Sequence, residues 1–373
     1  MLPLRNTLFF CIILLILKGC LCCSLGGLAE NIPSKPDPDN AGGGKIMRKT
    51  IAKIFLLTIT SFLVFGMLTS ASKKKSARTN EVIVYTYNSF SGEWGAGPEI
   101  ARLFEQKTGI KVTYAEVGDS GQILSKAILE KKKPVADVLV GLDNYSAKKA
   151  VDSGVLDVYK PADVDSLVPA ELSSKLNADS KKWYLTPYDY SHFAFIFDTL
   201  SGLPAPTCLE DLTKPEYAKK IIIMDSKTST LGVGYEEWVR AVYKENATKF
   251  FKKIYPSILT VAPGWSIGYG MFTDGEAPLC FSYTTSPAYH VEYGEGDRFK
   301  ALVFTDGHVM QVEGAGIVKG APNLEGAKKF MDFLISDEAQ NLIPLTQWMF
   351  PANKNVQLPA SYAAAAPVPK TIE

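Results

Sequence analysis

Residues 136 to 142 read Ala-Asp-Val-Leu-Val-Gly-Leu, an almost uninterrupted apolar run that Asp143 follows. Runs of this kind are typical of strands that are buried on both faces of a parallel sheet. Two β-rich segments, Val82 to Tyr87 and Ile110 to Tyr114, precede it, and each is followed by apolar residues at helical spacing. Three strand and helix units in succession predict an α/β layer built on a mixed, mostly parallel sheet flanked by helices.

The pattern of strands and helices continues in the second half of the chain. Strands are predicted at His192 to Phe197, Lys220 to Met224 and Pro278 to Tyr283. Helices are predicted at Tyr235 to Tyr243 and, near the end, at Leu324 to Ile335. These segments predict a second α/β lobe. Ligands of open α/β sheets lie outside the carboxyl ends of the strands, so we expect a binding cleft between the two lobes.

The expected lobes divide the chain where it crosses from one to the other. Lobe 1 comprises residues 80–188 together with about residues 289–320, and lobe 2 comprises residues 189–288 together with about residues 321–373. Tyr188, Asp189 and Tyr190 lie at the first crossing and are therefore predicted hinge residues.

The first part of the sequence has the features of an export signal. Residues 47–72 combine Met47, a basic start, an apolar run and small residues before Lys73, which predicts a signal peptide and export to the periplasm. Residues 1–46 are then an upstream extension or the result of a mis-assigned start. The alternative is lipid anchoring at Cys20, although Lys18 fits poorly into such a cleavage site.

Composition limits the kind of partner. The chain of 373 residues is 46% hydrophobic and 21% charged, as expected for a folded globular protein. Beyond residue 72 it carries 33 Lys and Arg against 36 Asp and Glu, without a basic stripe interleaved with aromatics, so nucleic-acid binding is not predicted. Cys208 and Cys280 follow the leader, and either a disulfide or two free thiols fits the pattern.

Large aromatic residues are concentrated in the loops that follow the predicted strands. They share these loops with glycine, proline or serine and comprise Tyr87, Trp94, Tyr188, Tyr190, Trp265, Tyr269, Tyr283, Tyr289 and Trp348. A single aromatic of this kind more often fills a core or a contact between lobes. A group of them in loops indicates a binding site, and aromatic faces attract delocalised cations.

Two polar motifs are candidates for the rest of the site. Asp143 and Asn144 follow the apolar strand, where Asp143 is suited either to balance a cationic ligand or to cap the next helical segment. The turn from Asp225 to Gly232 is rich in hydroxyl groups and precedes a helix, whose free backbone N–H groups are suited to hold a phosphate. Simple capping by Ser229 or Thr230 is the alternative reading of that turn.

Signatures of enzymes are missing from the sequence. The Gly-x-Ser-x-Gly, P-loop and His-Glu-x-x-His motifs and the spacings of zinc ligands do not occur. The three histidines, His192, His290 and His308, are scattered along the chain. No catalytic residue, metal site or cofactor is therefore predicted.

Several of these motifs occur together in one known family. They are Val84 to Phe90 with Trp94-Gly95, Ala136 to Asn144, Pro187 to Tyr190, Thr228 to Thr230, Gly264 to Ser266, Ser282 to His290 and Gln347 to Met349. In this combination the sequence from about Val82 to about Tyr362 resembles the periplasmic thiamine-binding proteins of bacterial ABC importers. The resemblance implies the two-lobed fold of type II periplasmic binding proteins.

The same resemblance implies which residues surround the ligand. The matching positions are Tyr87, Trp94, Asp143, Asn144, Ser229, Trp265, Tyr283, Tyr289 and Trp348, to which Thr230 of the hydroxyl-rich turn is added. Thiamine joins a cationic thiazolium ring to a flat aminopyrimidine, so aromatic stacking and a carboxylate at Asp143 agree with its chemistry. Asn88 and Leu231 depart from the family pattern, in which an acidic residue and a proline are expected.

The implied function is capture of thiamine, thiamine monophosphate or thiamine pyrophosphate for an inner-membrane permease, by a monomer that closes around its ligand. A ferric-ion binder of the same fold is one alternative, but such proteins commonly use neighbouring tyrosinates, and Tyr283 and Tyr289 are six residues apart. A thiaminase-like transferase is another, with Cys208 or Cys280 as the only available nucleophile.

Overall fold

The computed structural model describes residues 79–177 and 180–373. The predicted upstream extension at residues 1–46, the signal peptide at residues 47–72 and the alternative lipid anchor at Cys20 all lie outside these ranges. Within them, no helix is both long enough and apolar enough to cross a membrane.

The described residues form alternating strands and helices. The strands are β1 Glu81–Thr86, β2 Lys111–Glu116, β3 Val138–Asp143, β4 Thr186–Asp198, β5 Ile221–Met224, β6 Ile258–Ala262, β7 Leu279–Tyr283, β8 Phe299–Ala301, β9 Met310–Ile317 and β10 Phe350–Pro351. The α-helices are α1 Asn88–Ser91, α2 Ala96–Thr108, α3 Ser120–Leu129, α4 Ala147–Ser153, α5 Val164–Leu167, α6 Ala170–Asn177, α7 Thr230–Tyr243, α8 Ala247–Ile254, α9 Trp265–Thr273, α10 Pro287–Glu292, α11 Leu324–Leu334, α12 Asp337–Gln340 and α13 Ile343–Thr346. Short 3-10 helices lie at Thr199–Ser201, Glu210–Thr213, Pro215–Tyr217, Lys244–Asn246, Tyr255–Ser257 and Ala360–Ala364.

One continuous mixed sheet joins these strands in the order β2-β1-β3-β9-β4-β7-β5-β6, with β8 and β10 also paired to β4. β1 is parallel to β2 and β3, and β5 is parallel to β6 and β7. The central strands β9 and β4 are antiparallel to their neighbours. The predicted α/β class is confirmed.

Strand β4 links the two halves of the sheet. Its first residues pair with β9 and β10, and the residues from Phe193 onward pair with β7 and β8. The sequence predicted a strand only from His192, with the residues before it assigned to the crossing between the lobes. In the structure the pairing register with β9 shifts between Pro187 and Asp189, which lets the strand accommodate the proline.

Packing around the sheet bears on the predicted lobes. Helix α11 packs against β1, β9 and α2, where Phe104 meets the rings of Phe330 and Phe333. Strand β8 pairs with the second part of β4. The 3-10 helix Ala360–Ala364, by contrast, packs against α10, and the N–H of Ala366 donates to the carbonyl of Thr284. The lobe boundaries stay a prediction.

Candidate functional site

A cavity of about 420 Å³ lies at the carboxyl ends of the parallel strands. β1, β2, β6 and β7 all lead into its wall, as expected for the ligand site of an open α/β sheet. Its described lining residues are Tyr87, Asn88, Ser89, Trp94, Glu116, Asp119, Thr230, Leu231, Pro263, Gly264, Trp265, Ser266, Ile267, Tyr283, Ser286, Glu313, Thr346, Gln347, Trp348 and Met349. Six residues of the predicted site are among them: Tyr87, Trp94, Thr230, Trp265, Tyr283 and Trp348.

Trp265 begins helix α9 directly after β6 and forms part of one wall. Its ring stacks on Tyr269 with centroids 5.0 Å apart and an interplanar angle of 18°. Its indole Nε1–H donates to Ser282 Oγ at 2.8 Å, and Ser282 in turn bonds Ser286 at 2.8 Å. The tryptophan is thus held in one orientation while part of its surface remains exposed to the cavity.

Tyr87 follows β1 and depends on a glycine in the neighbouring strand. Gly141 of β3 has φ +102°, and a Cβ there would lie 2.4 Å from Tyr87 Cδ1. The backbone conformation and the close approach of the ring therefore both require glycine at this position. This small residue lets the tyrosine reach the cavity wall.

Three carboxylates line the cavity, and its described lining contains no lysine or arginine. Glu116 ends β2 and accepts a hydrogen bond from Asn88 Nδ2 at 3.1 Å. Asp119 precedes α3, and burial raises its pKa. Glu313 lies within β9 and is buried against Tyr87. This wall favours a cationic ligand over an anionic one.

The structure does not bring Asp143 and Asn144 into the described wall of the cavity. Asp143 accepts the backbone N–H of Ser146 at 2.7 Å, in the turn before α4. Asn144 accepts the N–H of Val312 at 2.8 Å and donates to the carbonyl of Met310 at 3.2 Å, so it ties this turn to β9. These contacts agree with the capping role that was the alternative for Asp143.

The hydroxyl-rich turn leads into helix α7, as the sequence predicted. Thr230 is its first residue and lines the cavity, and its backbone N–H donates to Asp119 Oδ2 at 3.0 Å. Ser229 precedes it and is buried, and its hydroxyl lies beside that carboxylate without completing a hydrogen bond. Ser229 is not among the residues of the cavity wall.

Tyr289 and Trp348 form a small aromatic cluster with Tyr362 and Ala288. The ring of Tyr289 meets that of Trp348 edge to face at 5.2 Å. Trp348 lines the cavity and Tyr289 lies behind it, outside the described wall. Tyr289 is therefore placed to support Trp348.

The predicted hinge residues all lie in β4. Tyr188 is buried and donates its phenol to Glu313, while Tyr190 packs against the ring of Phe350 at 5.5 Å. Asp189 is fully buried, and neither of its carboxylate oxygens has a hydrogen-bond partner in the described part of the chain. Their role as a hinge stays a prediction.

Neither cysteine of the described chain lies in the cavity wall. Both are free thiols, and Cys280 is buried in β7, where burial raises its pKa far above the usual range. Burial also raises the pKa of Cys208. Among the described residues, no group of three or more His, Cys, Asp or Glu side chains is arranged to hold a metal ion.

Asp119 and Glu313 are wall residues that the sequence analysis missed. Asp119 follows a strand and a glycine, so the rule that led to Asp143 also points to it. Glu313 is harder to find because it lies inside a strand and not in a loop. Its signal is a charged residue in the otherwise apolar stretch from Val312 to Val318.

The arrangement of two sheet halves around a cleft at strand ends defines a solute-binding protein fold. A model of the bacterial extracellular solute-binding protein family matches residues 133–371. The thiamine-binding periplasmic protein of Brucella abortus biovar 1 (strain 9-941) is 37% identical over 319 residues, covering 85% of this chain and 91% of the relative. Its counterpart in Escherichia coli K12 is 35% identical over 290 residues, covering 78% of this chain and 86% of the relative.

Solved structures agree with this result. A periplasmic thiamin binding protein superposes with a TM-score of 0.72 at 33% identity, covering 79% of this chain and 90% of that one. The predicted type II periplasmic-binding-protein fold is thereby confirmed. The chain belongs to the bacterial extracellular solute-binding proteins and, within them, to the family of the thiamine-binding periplasmic proteins.

Proposed function

We propose that the chain is a receptor that captures thiamine, or its monophosphate or pyrophosphate, and delivers it to the membrane permease of an ABC importer. The composition of the cavity wall carries this proposal, because aromatic faces and three carboxylates occur there without a lysine or arginine among the described lining residues. The names of the relatives support the same ligand.

The wall suits both rings of thiamine. The cationic thiazolium is attracted by aromatic faces and by carboxylates. The flat aminopyrimidine can stack on an indole such as Trp265, whose orientation the bond to Ser282 fixes. The volume of about 420 Å³ lies within the range of small-molecule sites.

The N-terminus of helix α7 is a suitable place in the wall for a phosphate group. Thr230 presents the N-terminus of the 14-residue helix α7, where backbone N–H groups and the helix dipole favour an anion. Its N–H already donates to Asp119. A thiamine phosphate that uses this donor must therefore displace the carboxylate, whereas unphosphorylated thiamine leaves the bond intact.

Residues from both halves of the sheet meet in the cavity. Tyr87 and Asp119 follow β1 and β2, whereas Thr230 and Trp265 follow β5 and β6. We infer that the ligand holds the halves together, with hinges near Tyr188 to Tyr190 and near Tyr289. We infer that the exported protein acts as a monomer in the periplasm.

Native mass spectrometry of freshly purified protein tests the ligand. We expect a bound mass equal to thiamine or one of its phosphates, lost on unfolding. The variant Trp265→Ala should lose most of this species, while Tyr255→Ala, which removes an exposed aromatic outside the cavity wall, should keep it. A different retained mass that thiamine cannot displace would refute the assignment.

Binding without catalysis is part of the proposal. Both thiols lie outside the cavity wall and have raised pKa values, which disfavours the thiolate that a thiaminase needs. Thiamine incubated with the protein and a nucleophilic acceptor should remain intact. Consumption of thiamine that disappears in Cys208→Ser or Cys280→Ser would establish the transferase instead.

A further inference from the structure

Glu313 lies at the base of the cavity among hydrogen-bond donors. Tyr87 Oη donates to Glu313 Oε2 at 2.5 Å, and Tyr188 Oη donates to the same oxygen. Gln311 Nε2 donates to the other oxygen, Oε1, at 2.6 Å. The side chain is therefore held in one place although only 8% of the residue is exposed.

A second acid lies directly across the sheet. Asp189 of β4 is the pairing partner of Glu313 in β9. Asp189 is fully buried and both its oxygens lack hydrogen-bond partners among the described residues. An ionised carboxylate in such a place is very unfavourable. Burial and the charge of Glu313 raise the pKa of Asp189 well above its usual value.

Among the described residues, the charged side chains that act on Glu313 are acidic. Asp189 faces it from β4, Asp143 at the end of β3 is its pairing partner on the other side, and Asp119 lies before α3. The pKa of Glu313 is raised to about 7, mainly by burial and to a lesser extent by Asp143 and Asp119, although the hydrogen bonds from Tyr188 and Tyr87 lower it. In the empty cavity near neutral pH, Glu313 is therefore partly protonated.

We propose that Glu313 is the counter-charge for the cationic ligand and that ligand binding expels a proton from the Glu313 and Asp189 pair. This inference rests on the proposed function, because it takes the ligand to be a cation. In the proposed step the O–H bond of the neutral carboxyl breaks, the proton passes to the solvent and the ligand itself is chemically unchanged. The carboxylate left behind stays bonded to Tyr87, Tyr188 and Gln311.

The direction of the pH dependence follows. A nearby cation favours the ionised carboxylate, so the bound state holds fewer protons than the empty one. Affinity should therefore increase as the pH rises toward about 7 and level off above it. Below that value each bound ligand releases up to about one proton, and well above it the release approaches zero.

Calorimetric titration of the full exported protein with thiamine tests the inference. Titrations at about pH 6.5 in two buffers with different ionisation enthalpies give the number of protons released. We expect release of a substantial fraction of a proton from the wild type and almost none from Glu313→Gln. The matched control Glu276→Gln, which makes the same change at an exposed glutamate outside the described wall, should retain the release.

The possible outcomes distinguish a failure of the role given to Glu313 from a failure of the thiamine-receptor assignment. Thiamine binding by the wild type without proton release would overturn the role of Glu313 and leave the receptor assignment standing. Proton release that persists unchanged in a folded Glu313→Gln would also overturn it. The absence of thiamine binding by the wild type would instead refute the proposed function. The wild-type proton count is decisive even if a variant folds poorly.

Discussion

Asp143 and Glu313 are buried carboxylates that lie opposite one another on the paired strands β3 and β9. Asp143 accepts a backbone N–H in the turn before α4 and stays outside the described cavity wall. Glu313 lines the cavity and accepts hydrogen bonds from two phenol groups and one side-chain amide. The comparison teaches that a position after a strand does not by itself bring a carboxylate into the cavity wall. The two carboxylates differ in their hydrogen-bond donors and in whether they line the cavity.

The largest expected difference concerns thiamine affinity. Glu313→Gln removes the charge that lines the cavity while conserving the size of the side chain, and we expect the Kd for thiamine to rise about 10- to 100-fold, or about 1.4 to 2.8 kcal/mol. Asp143→Asn should change the Kd less than about threefold. Titration calorimetry on both variants measures this. If Asp143→Asn had the larger effect, the sequence-based choice of the counter-charge would be right.

A change in the strand that carries Asp143 should disturb Glu313 through Tyr87. Gly141→Ala forces a Cβ against the Tyr87 ring at a positive φ, so we expect thermal denaturation to show a loss of about 1–3 kcal/mol in the free energy of unfolding. Thiamine affinity should fall as well, because Tyr87 donates to Glu313.

Gly121→Ala is the control for this substitution. It lies in helix α3 with no atom within 4 Å of the added Cβ, so it should be neutral or slightly stabilising. Equal losses in the two variants would contradict the close-contact explanation for Gly141.

The pH dependence of the stability of the ligand-free protein should also differ between variants of Glu313 and of Asp143. The folded-state pKa of Glu313 is raised to about 7 and that of Asp143 to about 6, mainly by burial, so folding favours their protonated forms. Stability therefore falls as the pH rises from about 4.3, the ordinary glutamate value, to about 7. Glu313→Gln should flatten this fall more than Asp143→Asn does. Thermal melting between about pH 5 and pH 8 measures it, and a steeper fall in Glu313→Gln would contradict the assignment.

The smallest expected effect involves Asp119, the acid that bonds the start of α7. Asp119→Asn removes a charge near the place suited to a phosphate, so the ratio of affinities should shift a few-fold toward thiamine pyrophosphate and away from thiamine. Competition titrations with both ligands report this ratio. A shift in the opposite direction would show that the phosphate binds elsewhere.

Much of the fold could be read from periodicity. The apolar run before Asp143 became β3, and the predicted strands and helices of the second half occur within a few residues of their expected positions. β4 was longer than expected, because a register shift accommodates Pro187 and lets the strand continue through the predicted hinge. Such tolerance depends on the neighbouring strand β9 and leaves no local trace in the sequence.

The aromatic residues of the cavity wall could be predicted from the sequence more easily than its carboxylates. Tyr283 lies in the wall because it ends β7, and Trp265 lies there because it begins the helix that follows β6. Tyr289 belongs to the same motif but packs behind Trp348, a distinction that needs the three-dimensional arrangement. Glu313 meets Tyr87 across 226 positions of sequence, and no local pattern reveals a contact of that kind.

Titration of the wild-type protein with thiamine near neutral pH tests the central claim most directly. We expect saturable binding of one thiamine per chain. No detectable binding at micromolar thiamine, with a folded protein free of retained ligand, would contradict the account.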